Sequence, residues 1–249
     1  MHRLAIAAVV LASMAALPGC STTGSHPRPM TSVPPSPASH LTATGVPKPR
    51  LAPSPNRAPV PVAPPSRSPT ATTLTRYVFP VQGCPVFYGR SHHDYPATDI
   101  FAARGCLVVA PVAGRVDEVS TADRWNPRTN NGADRGGLSI SIVGADGVRY
   151  YGSHLSTILD GVRPGVRLQQ GEPLGRVGNS GDARGIATHL HFGISWPTAP
   201  DIWWLRRGEI YPWPYLDAWR GGHNVSPAAA VAAARATAGS IAPACRVDC

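Results

Sequence analysis

Residues 21–75 lack two classes of residue that folded domains depend on: they contain no Asp or Glu and no Phe, Trp or Tyr. The same segment holds 14 of the 28 prolines in the chain. A sequence of this kind cannot bury enough apolar surface to offset the conformational entropy that it would lose on folding. Its composition therefore excludes a packed domain and predicts a disordered, extended tether, which at about 3.1 Å per residue would reach at most roughly 170 Å.

Long apolar runs are scarce as well, and the only one lies at the N-terminus, at residues 4–17. It is shorter than the roughly 20 residues of a membrane-spanning helix, and it follows the basic residue Arg3. These features predict that residues 1–20 are an export signal, the alternative being a buried apolar helix. The ending Leu-Pro-Gly-Cys resembles a bacterial lipobox, in which Cys20 would carry a lipid anchor to the membrane.

Lysine is nearly absent, with Lys48 against 22 arginines, yet the formal net charge is +9. The charge is unevenly distributed, because residues 21–75 carry +5 whereas residues 76–222 hold 15 Arg and 13 acidic residues, a balance of +2. A domain that binds nucleic acid concentrates basic residues on its own surface. The folded part has no such excess, so nucleic acid is not expected as a partner, and the basic tether favours anionic wall polymers or lipid headgroups.

Cysteine is also infrequent, with five in the chain, of which four remain if Cys20 is lipid-modified. An even number of cysteines in an exported protein predicts disulfide bonds. Three pairings are possible, and we favour Cys84 with Cys106 and Cys245 with Cys249, since each pair closes a local loop. A four-cysteine zinc site is the alternative, but the paired short spacings of such sites are missing.

Residues 76–222 consist of short apolar runs separated by Gly, Pro, Asn and Asp, without a convincing amphipathic helix. The dipeptide Asp146-Gly147 between two such runs is typical of a β-hairpin. This pattern predicts an all-β domain, an antiparallel sandwich or barrel-like fold. The polar segment at residues 123–137 is long for a hairpin loop and is expected to border a groove. Residues 223–249 form an Ala-rich tail in which one weak helix is expected.

Histidine and aspartate gather in three clusters of this domain. The clusters are SHHDYPATDIF at residues 91–101, YYGSHLS at residues 150–156 and ATHLHFGIS at residues 187–195. Alternate side chains of a strand point to the same face, so His189 and His191 are expected on one face and Leu190 and Phe192 on the other. Two converging imidazoles indicate a metal site or a proton-transfer site, and two solvated histidines are the alternative.

The order of these clusters resembles the lysostaphin-type (LytM) zinc metallopeptidases, which cut peptide bonds in bacterial peptidoglycan. The core of that family reads H-x-G-x-D, then a lone His, then H-x-H. Its G-x-x-V-x-A-x-x-G-x-V segment is echoed by GCLVVAPVAGRV at residues 105–116, and GEPLGRVGNSG at residues 171–181 precedes the H-x-H. The resemblance covers roughly residues 78–198 and implies a β fold of the duplicated hybrid motif type.

The resemblance implies one zinc ion held by Asp99, His191 and a histidine of the first cluster. The family spacing is four residues, whereas His93 and Asp99 are six apart. We take His93 as that histidine because it needs a smaller insertion than the alternative, His92. The resemblance also implies that His154 and His189 act at the reaction centre without binding the metal. Two histidines and one carboxylate leave a fourth zinc position for water, which is typical of a catalytic site.

The expected function is an exported, lipid-anchored zinc metalloendopeptidase that hydrolyses peptide bonds of peptidoglycan stem peptides or cross-links. The alternative is a wall-binding or amidase-activating module of the same fold with a weak or inactive site. Sugar-transport phosphocarrier domains have a similar β architecture, but the export signal and the cysteines argue against a cytoplasmic protein. We therefore expect the protein outside the cytoplasm, anchored in the membrane and facing the cell wall.

Overall fold

The computed structural model describes residues 75–239 and 242–245 of the chain. Outside the described residues lie the predicted signal peptide, the tether up to residue 74, Cys20 and Cys249. The export signal, the tether, the lipid on Cys20 and the disulfide of Cys249 therefore stay predictions. The described residues belong to one compact unit within Ser66–Cys249. In this part of the chain, no helix is both long enough and apolar enough to cross a membrane.

Strands account for most of the regular structure of residues 75–239, and every α-helix within this range begins after residue 202. The strands are β1 Val81–Gln82, β2 Phe87–Tyr88, β3 Thr98–Phe101, β4 Leu107–Val109, β5 Gly114–Ser120, β6 Ser139–Gly144, β7 Arg149–Ser153, β8 Leu155–Ile158, β9 Arg167–Leu168, β10 Pro173–Val177 and β11 His189–Ser195. The helices are α1 Trp203–Arg206, α2 Trp213–Arg220 and α3 Ala228–Ala238. Short 3-10 turns lie at Gly132–Asp134 and Gly181–Ala183.

The strands form two antiparallel sheets that share one apolar core. The smaller sheet has the order β1-β4-β10-β8, and the larger has the order β2-β3-β11-β7-β6-β5-β9. Buried apolar residues of both sheets belong to a single cluster, for example Val108 and Val177 from the smaller sheet and Ile142 and Ile194 from the larger. The predicted all-β, antiparallel fold class is therefore confirmed.

The hairpin predicted at Asp146-Gly147 connects β6 and β7. Gly147 has a φ of 76°, a left-handed conformation that glycine adopts without steric cost. The carboxylate of Asp146 accepts a hydrogen bond from the backbone N–H of Val148 at 3.2 Å and another from the Tyr150 hydroxyl at 2.5 Å. The turn thus fixes the register in which β6 and β7 pair.

Two short helices, α1 and α2, interrupt the all-β pattern expected of residues 76–222. Pro212 and Pro214 flank the first residue of α2, where the fixed φ of proline suits a helix start. The helix buries Leu216 and Trp219 in the core. Eight residues give too few turns for a period of 3.6 to be recognised, which is why the sequence did not reveal this helix.

The chain beyond residue 222 packs against the sheets. The backbone N–H of Tyr77 donates a hydrogen bond to the Asn224 side-chain oxygen at 3.0 Å, and the Tyr77 hydroxyl lies 2.9 Å from Ser226 Oγ. The Ala-rich tail forms the one helix expected of it, α3, whose Val231 is buried in the core. The domain boundary at residue 222 stays a prediction, because contacts with the sheets continue past it.

A disulfide joins Cys84 and Cys106, which is one of the two pairings that we favoured. It closes a ring of the chain that contains β2 and β3. The other favoured pair includes Cys249, which lies outside the described residues.

Candidate metal centre

Strand β11 carries its two histidines on one face, as the alternation predicted. In the antiparallel register, His191 lies opposite Asp99 of β3 on one side and Ser153 of β7 on the other. Leu190 and Phe192 are buried in the apolar core. The central position of β11 thus gathers side chains from three neighbouring strands at one point of the sheet.

The carboxylate of Asp99 is the centre of this group. Its Oδ1 atom lies 3.0 Å from His191 Nδ1, 3.9 Å from His189 Nε2 and 4.0 Å from His92 Nε2. Burial favours the neutral acid, but the neighbouring imidazoles of His191, His189 and His92 hold the pKa of Asp99 well below its usual range. Asp99 is therefore an anion surrounded by imidazole nitrogens.

The first cluster directs His92, rather than His93, to Asp99. The side chain of His92 is 5% exposed, whereas that of His93 is 73% exposed and pairs with Asp94 at 2.5 Å. The geometry thus favours the alternative, His92, over our choice of His93. The physical reason is that the chain bends at residues 93–96. This bend absorbs a spacing of seven residues and leaves the side chain of His93 largely exposed.

His92, Asp99 and His191 are arranged as a set of metal ligands. Each offers one donor atom, and the three atoms all lie within 4.8 Å of one another. In a tetrahedral zinc site with bonds of about 2.1 Å, ligand atoms are roughly 3.4 Å apart, so small side-chain rotations would bring the three donors onto one ion. Burial lowers the pKa of His92 to about 4, which keeps a lone pair available on this imidazole at neutral pH.

The surroundings of His191 also fit a cation. Its Nε2 atom lies 3.3 Å from the backbone oxygen of Arg207, and its Nδ1 atom faces Asp99 Oδ1. A neutral imidazole has a single N–H, and a carbonyl oxygen can only accept a hydrogen bond. If Nε2 donates to Arg207, the Nδ1 lone pair faces a carboxylate, and a cation between the two would stabilise this arrangement.

A buried ionic network fixes the position of Arg207. Arg149, which is 0% exposed, donates from Nη1 to the backbone oxygen of Arg206 at 2.8 Å. Arg149 Nε and Arg206 Nη2 both donate to Asp117 Oδ2, at 2.7 and 2.8 Å, and so tie α1 to β5 and β7. On β11, a Cβ at Gly193 would lie 1.8 Å from the Arg207 oxygen. Only glycine at this position lets that carbonyl approach His191.

His154 and His189 lie beside the three donors with their ring centroids 4.9 Å apart. The Nδ1 atom of His154 is 2.9 Å from the Ser180 carbonyl oxygen, and that of His189 is 2.8 Å from the Ala187 carbonyl oxygen. Because both partners can only accept, each Nδ1 carries the proton and each Nε2 presents a lone pair. Burial lowers the pKa of His154 to about 3, so this imidazole is neutral at physiological pH.

The backbone of His154 is held in an unusual conformation between β7 and β8. Its φ is 62°, and apart from Asn130 it is the one non-glycine residue of the described chain with a positive φ. Its N–H donates to the Gly136 carbonyl oxygen at 3.0 Å. Such conformations persist where the surrounding structure enforces them, and they concentrate at functional sites. Here the conformation turns the imidazole towards His189.

The five groups line a cavity of about 210 Å³, which also contains residues that we did not predict. Asp182 Oδ1 lies 3.9 Å from His154 Nε2, and burial raises the pKa of Asp182. The Tyr95 hydroxyl lies 3.4 Å from His191 Nε2, and burial raises the pKa of Tyr95 as well. Both residues are sequence neighbours of predicted clusters, but no spacing rule distinguishes them. Further lining residues include Arg135, Gly136, Ile186 and Arg207.

The loop at residues 123–137 borders this cavity, as predicted, and is joined to the glycine-rich turn that precedes β11. Asp123 Oδ2 accepts hydrogen bonds from the Gly181 N–H at 3.1 Å and from Arg184 Nε at 3.0 Å. Asp123 Oδ1 also pairs with Arg184 Nη2 at 2.7 Å. These bonds hold the turn next to Ser180, whose carbonyl fixes the tautomer of His154.

The comparison with protein families agrees with this geometry. Residues 93–200 match the profile of Peptidase family M23. This part of the chain is similar to the M23 peptidases. The predicted resemblance to the lysostaphin-type family is thereby confirmed, and the matched residues contain Asp99, His154, His189 and His191.

Individual relatives of the M23 domain resemble it over part of their length. The L-Ala--D-Glu endopeptidase of Bacillus subtilis (strain 168) is 30% identical over 138 residues, which are 53% of this chain and 37% of that protein. A putative glycyl-glycine endopeptidase lytM from Ruminococcus gnavus is similar in structure, with a TM-score of 0.45 and 21% identity. The similarity covers 60% of this chain and 62% of that one. The catalytic domain of lysostaphin from Staphylococcus simulans has a TM-score of 0.39 and is 22% identical. The similarity covers 54% of this chain and 92% of that domain.

Proposed function

We propose that this protein is a zinc-dependent endopeptidase that hydrolyses peptide bonds in bacterial peptidoglycan. The observation that carries the proposal is the convergence of two histidines and one carboxylate, His92, His191 and Asp99, beside two further histidines with free Nε2 lone pairs. A metal site with three protein ligands leaves room for water and substrate, whereas structural zinc sites use four protein ligands. The match of residues 93–200 to a peptidase family supports the same activity.

His92, Asp99 and His191 would hold the zinc ion. When bound, zinc supplies a nucleophilic water at neutral pH and polarises the carbonyl of the scissile bond. Asp99 contributes a negative charge that stays ionised through the physiological range because of its lowered pKa. The backbone carbonyl of Arg207 accepts a hydrogen bond from the Nε2–H of His191. This bond keeps the imidazole in the tautomer whose Nδ1 atom faces the ion.

His189 and His154 supply the proton transfers that amide hydrolysis requires. Their Nε2 atoms accept protons, since the Nδ1 protons are already donated to the Ala187 and Ser180 carbonyls. One of them takes a proton from the attacking water, and a protonated imidazole then returns a proton to the leaving amine. His189 Nε2 is 3.9 Å from Asp99 Oδ1, so the resulting imidazolium would be stabilised by that carboxylate.

The proposed substrate is the peptide part of peptidoglycan, either stem peptides or cross-links. The supporting relatives are peptidases whose names include an L-Ala--D-Glu endopeptidase and lysostaphin. We also propose that the chain is exported by residues 1–20, anchored through a lipid on Cys20 and carried to the wall by the tether at residues 21–75. This arrangement would give a membrane-anchored enzyme access to a substrate that lies away from the lipid surface.

The test is a peptidoglycan digest with the full chain and with the variant His191→Ala. Bound zinc is measured first, and cross-linked and uncross-linked muropeptides are then separated by mass spectrometry. The expected result is about one zinc per wild-type chain and a fall in intact peptide bonds that His191→Ala does not cause. His223→Ala is the matched control, because His223 is an exposed histidine outside the cavity.

A digest without any new peptide termini, despite bound zinc, would contradict the proposed hydrolase. In that case the same preparation is added to a wall amidase, because the alternative function is a wall-binding or activating module. A rise in amidase products that is unaffected by His191→Ala would identify that function.

A further inference from the structure

The segment that carries His92 is longer than in the family pattern. Its route to the proposed zinc site is therefore different. Asp99 lies seven positions after His92, where the Asp of the resembling motif lies four positions after its His. Strand β3 begins at Thr98, so residues 93–97 are not held by sheet hydrogen bonds. Because a longer unpaired segment has more conformations to lose, the orientation of His92 needs another source of order.

Tyr95 is the residue of this segment that turns into the site. Its ring centroid lies 4.6 Å from that of His92 and 5.7 Å from that of His191, at interplanar angles of 51° and 61°. Its hydroxyl lies 3.4 Å from His191 Nε2. Tyr95 therefore contacts both proposed histidine ligands, one from the variable segment and one from the central strand.

The side chain of Arg207 also packs on the Tyr95 ring. The guanidinium carbon of Arg207 lies 4.3 Å from the ring centroid of Tyr95 and 4.8 Å from that of Trp203. A cation over an aromatic face is attracted by the ring quadrupole. The carbonyl of the same Arg207 accepts from His191, and the ionic network around Arg149 holds α1 in place. The Tyr95 ring thus contacts both proposed ligand histidines and the side chain of Arg207, which follows α1.

We propose that Tyr95 is a positioning residue that sets the orientation of both ligand imidazoles and thereby allows His92 to bind the ion at a spacing of seven residues. The ring packs against His92 and replaces the order that the shorter family segment would provide. The hydroxyl shares the outward N–H of His191 with the Arg207 carbonyl. This inference rests on the zinc site of the proposed function.

The test measures zinc affinity in the full chain, by competition with a chromophoric chelator, for wild type, Tyr95→Phe and Tyr95→Leu. Tyr95→Leu removes the ring contacts and should weaken zinc binding about 10- to 100-fold, the range that outer-shell partners of metal ligands usually contribute. Tyr95→Phe keeps the ring and should lose less than Tyr95→Leu. Ser91→Ala is the matched control, since it alters an exposed residue next to His92 that does not line the cavity, and it should leave zinc affinity within about twofold of wild type.

A second readout distinguishes positioning from a general loss of structure. Cobalt(II) is substituted for zinc, and its visible absorption spectrum reports the ligand geometry. We expect Tyr95→Leu to change this spectrum while the zinc-free chain keeps the thermal unfolding midpoint of the wild type. Wild-type zinc affinity and an unchanged cobalt spectrum in Tyr95→Leu would overturn the inference and leave the zinc site intact. Failure of the wild-type chain to bind zinc would overturn both the inference and the proposed function.

Discussion

Asp99 and His191 face each other across paired strands, with 3.0 Å between Asp99 Oδ1 and His191 Nδ1. A shift of either strand by one residue would move its side chain to the other face of the sheet. The same register directs Leu190 and Phe192 into the apolar core. The pairing that buries the core is therefore also the pairing that assembles the candidate metal site.

Replacement of His92 should remove zinc binding, whereas replacement of His93 should not. His92 is buried and faces Asp99, and His93 is exposed and pairs with Asp94. We expect His92→Ala to weaken zinc binding by more than the roughly 100-fold that outer-shell changes produce. Equilibrium dialysis of both variants measures this difference, and a larger loss in His93→Ala would reverse the assignment.

His154 and His189 should be required for turnover but not for zinc binding. We expect His154→Asn and His189→Ala to retain zinc within a few-fold and to lower kcat by about 10²- to 10⁴-fold, because each variant loses a proton-transfer group. Asn is chosen at position 154 because it tolerates the positive φ found there. Zinc content and peptide hydrolysis are measured on the same preparations. Normal turnover in both variants would exclude their proposed roles.

Asp123 and Arg184 should act as one unit that orients His154. Their ion pair and the bond from Gly181 hold the turn whose Ser180 carbonyl accepts the His154 Nδ1–H. We expect each alanine variant to lower kcat more than it changes KM, and the double variant to lose less than the product of the two. A double-mutant cycle on kcat should give a coupling of about 0.5 to 3 kcal/mol. Fully additive losses would contradict the coupling.

Gly193→Ala should disturb the end of α1 and, through it, the metal site. The new Cβ would lie 1.8 Å from the Arg207 carbonyl oxygen, which is the acceptor for His191 Nε2. Overpacking of this kind costs about 1 to 3 kcal/mol in the free energy of unfolding, and zinc affinity should fall with it. Gly89→Ala is the control, because its nearest atom outside the chain neighbours is 3.8 Å away. Urea unfolding and chelator competition measure the two effects.

The ionic network below α1 predicts a defined pH dependence of stability. Burial alone would raise the pKa of Asp117, but the hydrogen bonds and charges of Arg149 and Arg206 lower it below its ordinary value of 3.8. A depressed folded-state pKa means that Asp117 contributes stability above pH 3.8, which is lost as the pH falls through the folded-state pKa. At neutral pH, Asp117→Asn should reduce the free energy of unfolding by roughly 2 to 4 kcal/mol.

The difference between wild type and Asp117→Asn should therefore shrink as the pH falls below about 4. Urea unfolding of the metal-free chains at pH 7 and pH 3 compares the two conditions. A difference of equal size at both pH values would show that the carboxylate charge is not responsible.

The sequence predicted those parts of the site that depend on strand alternation and on the order of motifs. The shared face of His189 and His191 follows from a period of two, and Asp99 and His154 follow from their positions before the H-x-H. His92 was the harder choice, because a bend of the chain decides which of two adjacent histidines turns inward. Such a bend leaves no periodic trace in the sequence.

The remaining parts of the site depend on tertiary packing. Tyr95 and the Arg207 carbonyl reach His191 only because α1 is docked on the sheet by buried ion pairs. Asp123 reaches Gly181 across 58 residues of sequence. Neither a four-residue helix such as α1 nor a contact between two loops has a pattern that a sequence reveals by itself.

The Cys84–Cys106 disulfide closes a ring that contains His92, Tyr95 and Asp99, while His191 lies outside it. Two of the three proposed donors therefore sit on one covalently closed segment. Opening the ring would remove no donor, but it would let the metal-free segment visit more conformations and would make assembly of the site entropically harder. A chain still in a reducing compartment would hold metal less tightly than the same chain after oxidation. The thiol chemistry of its surroundings would thus set when the proposed hydrolase becomes competent.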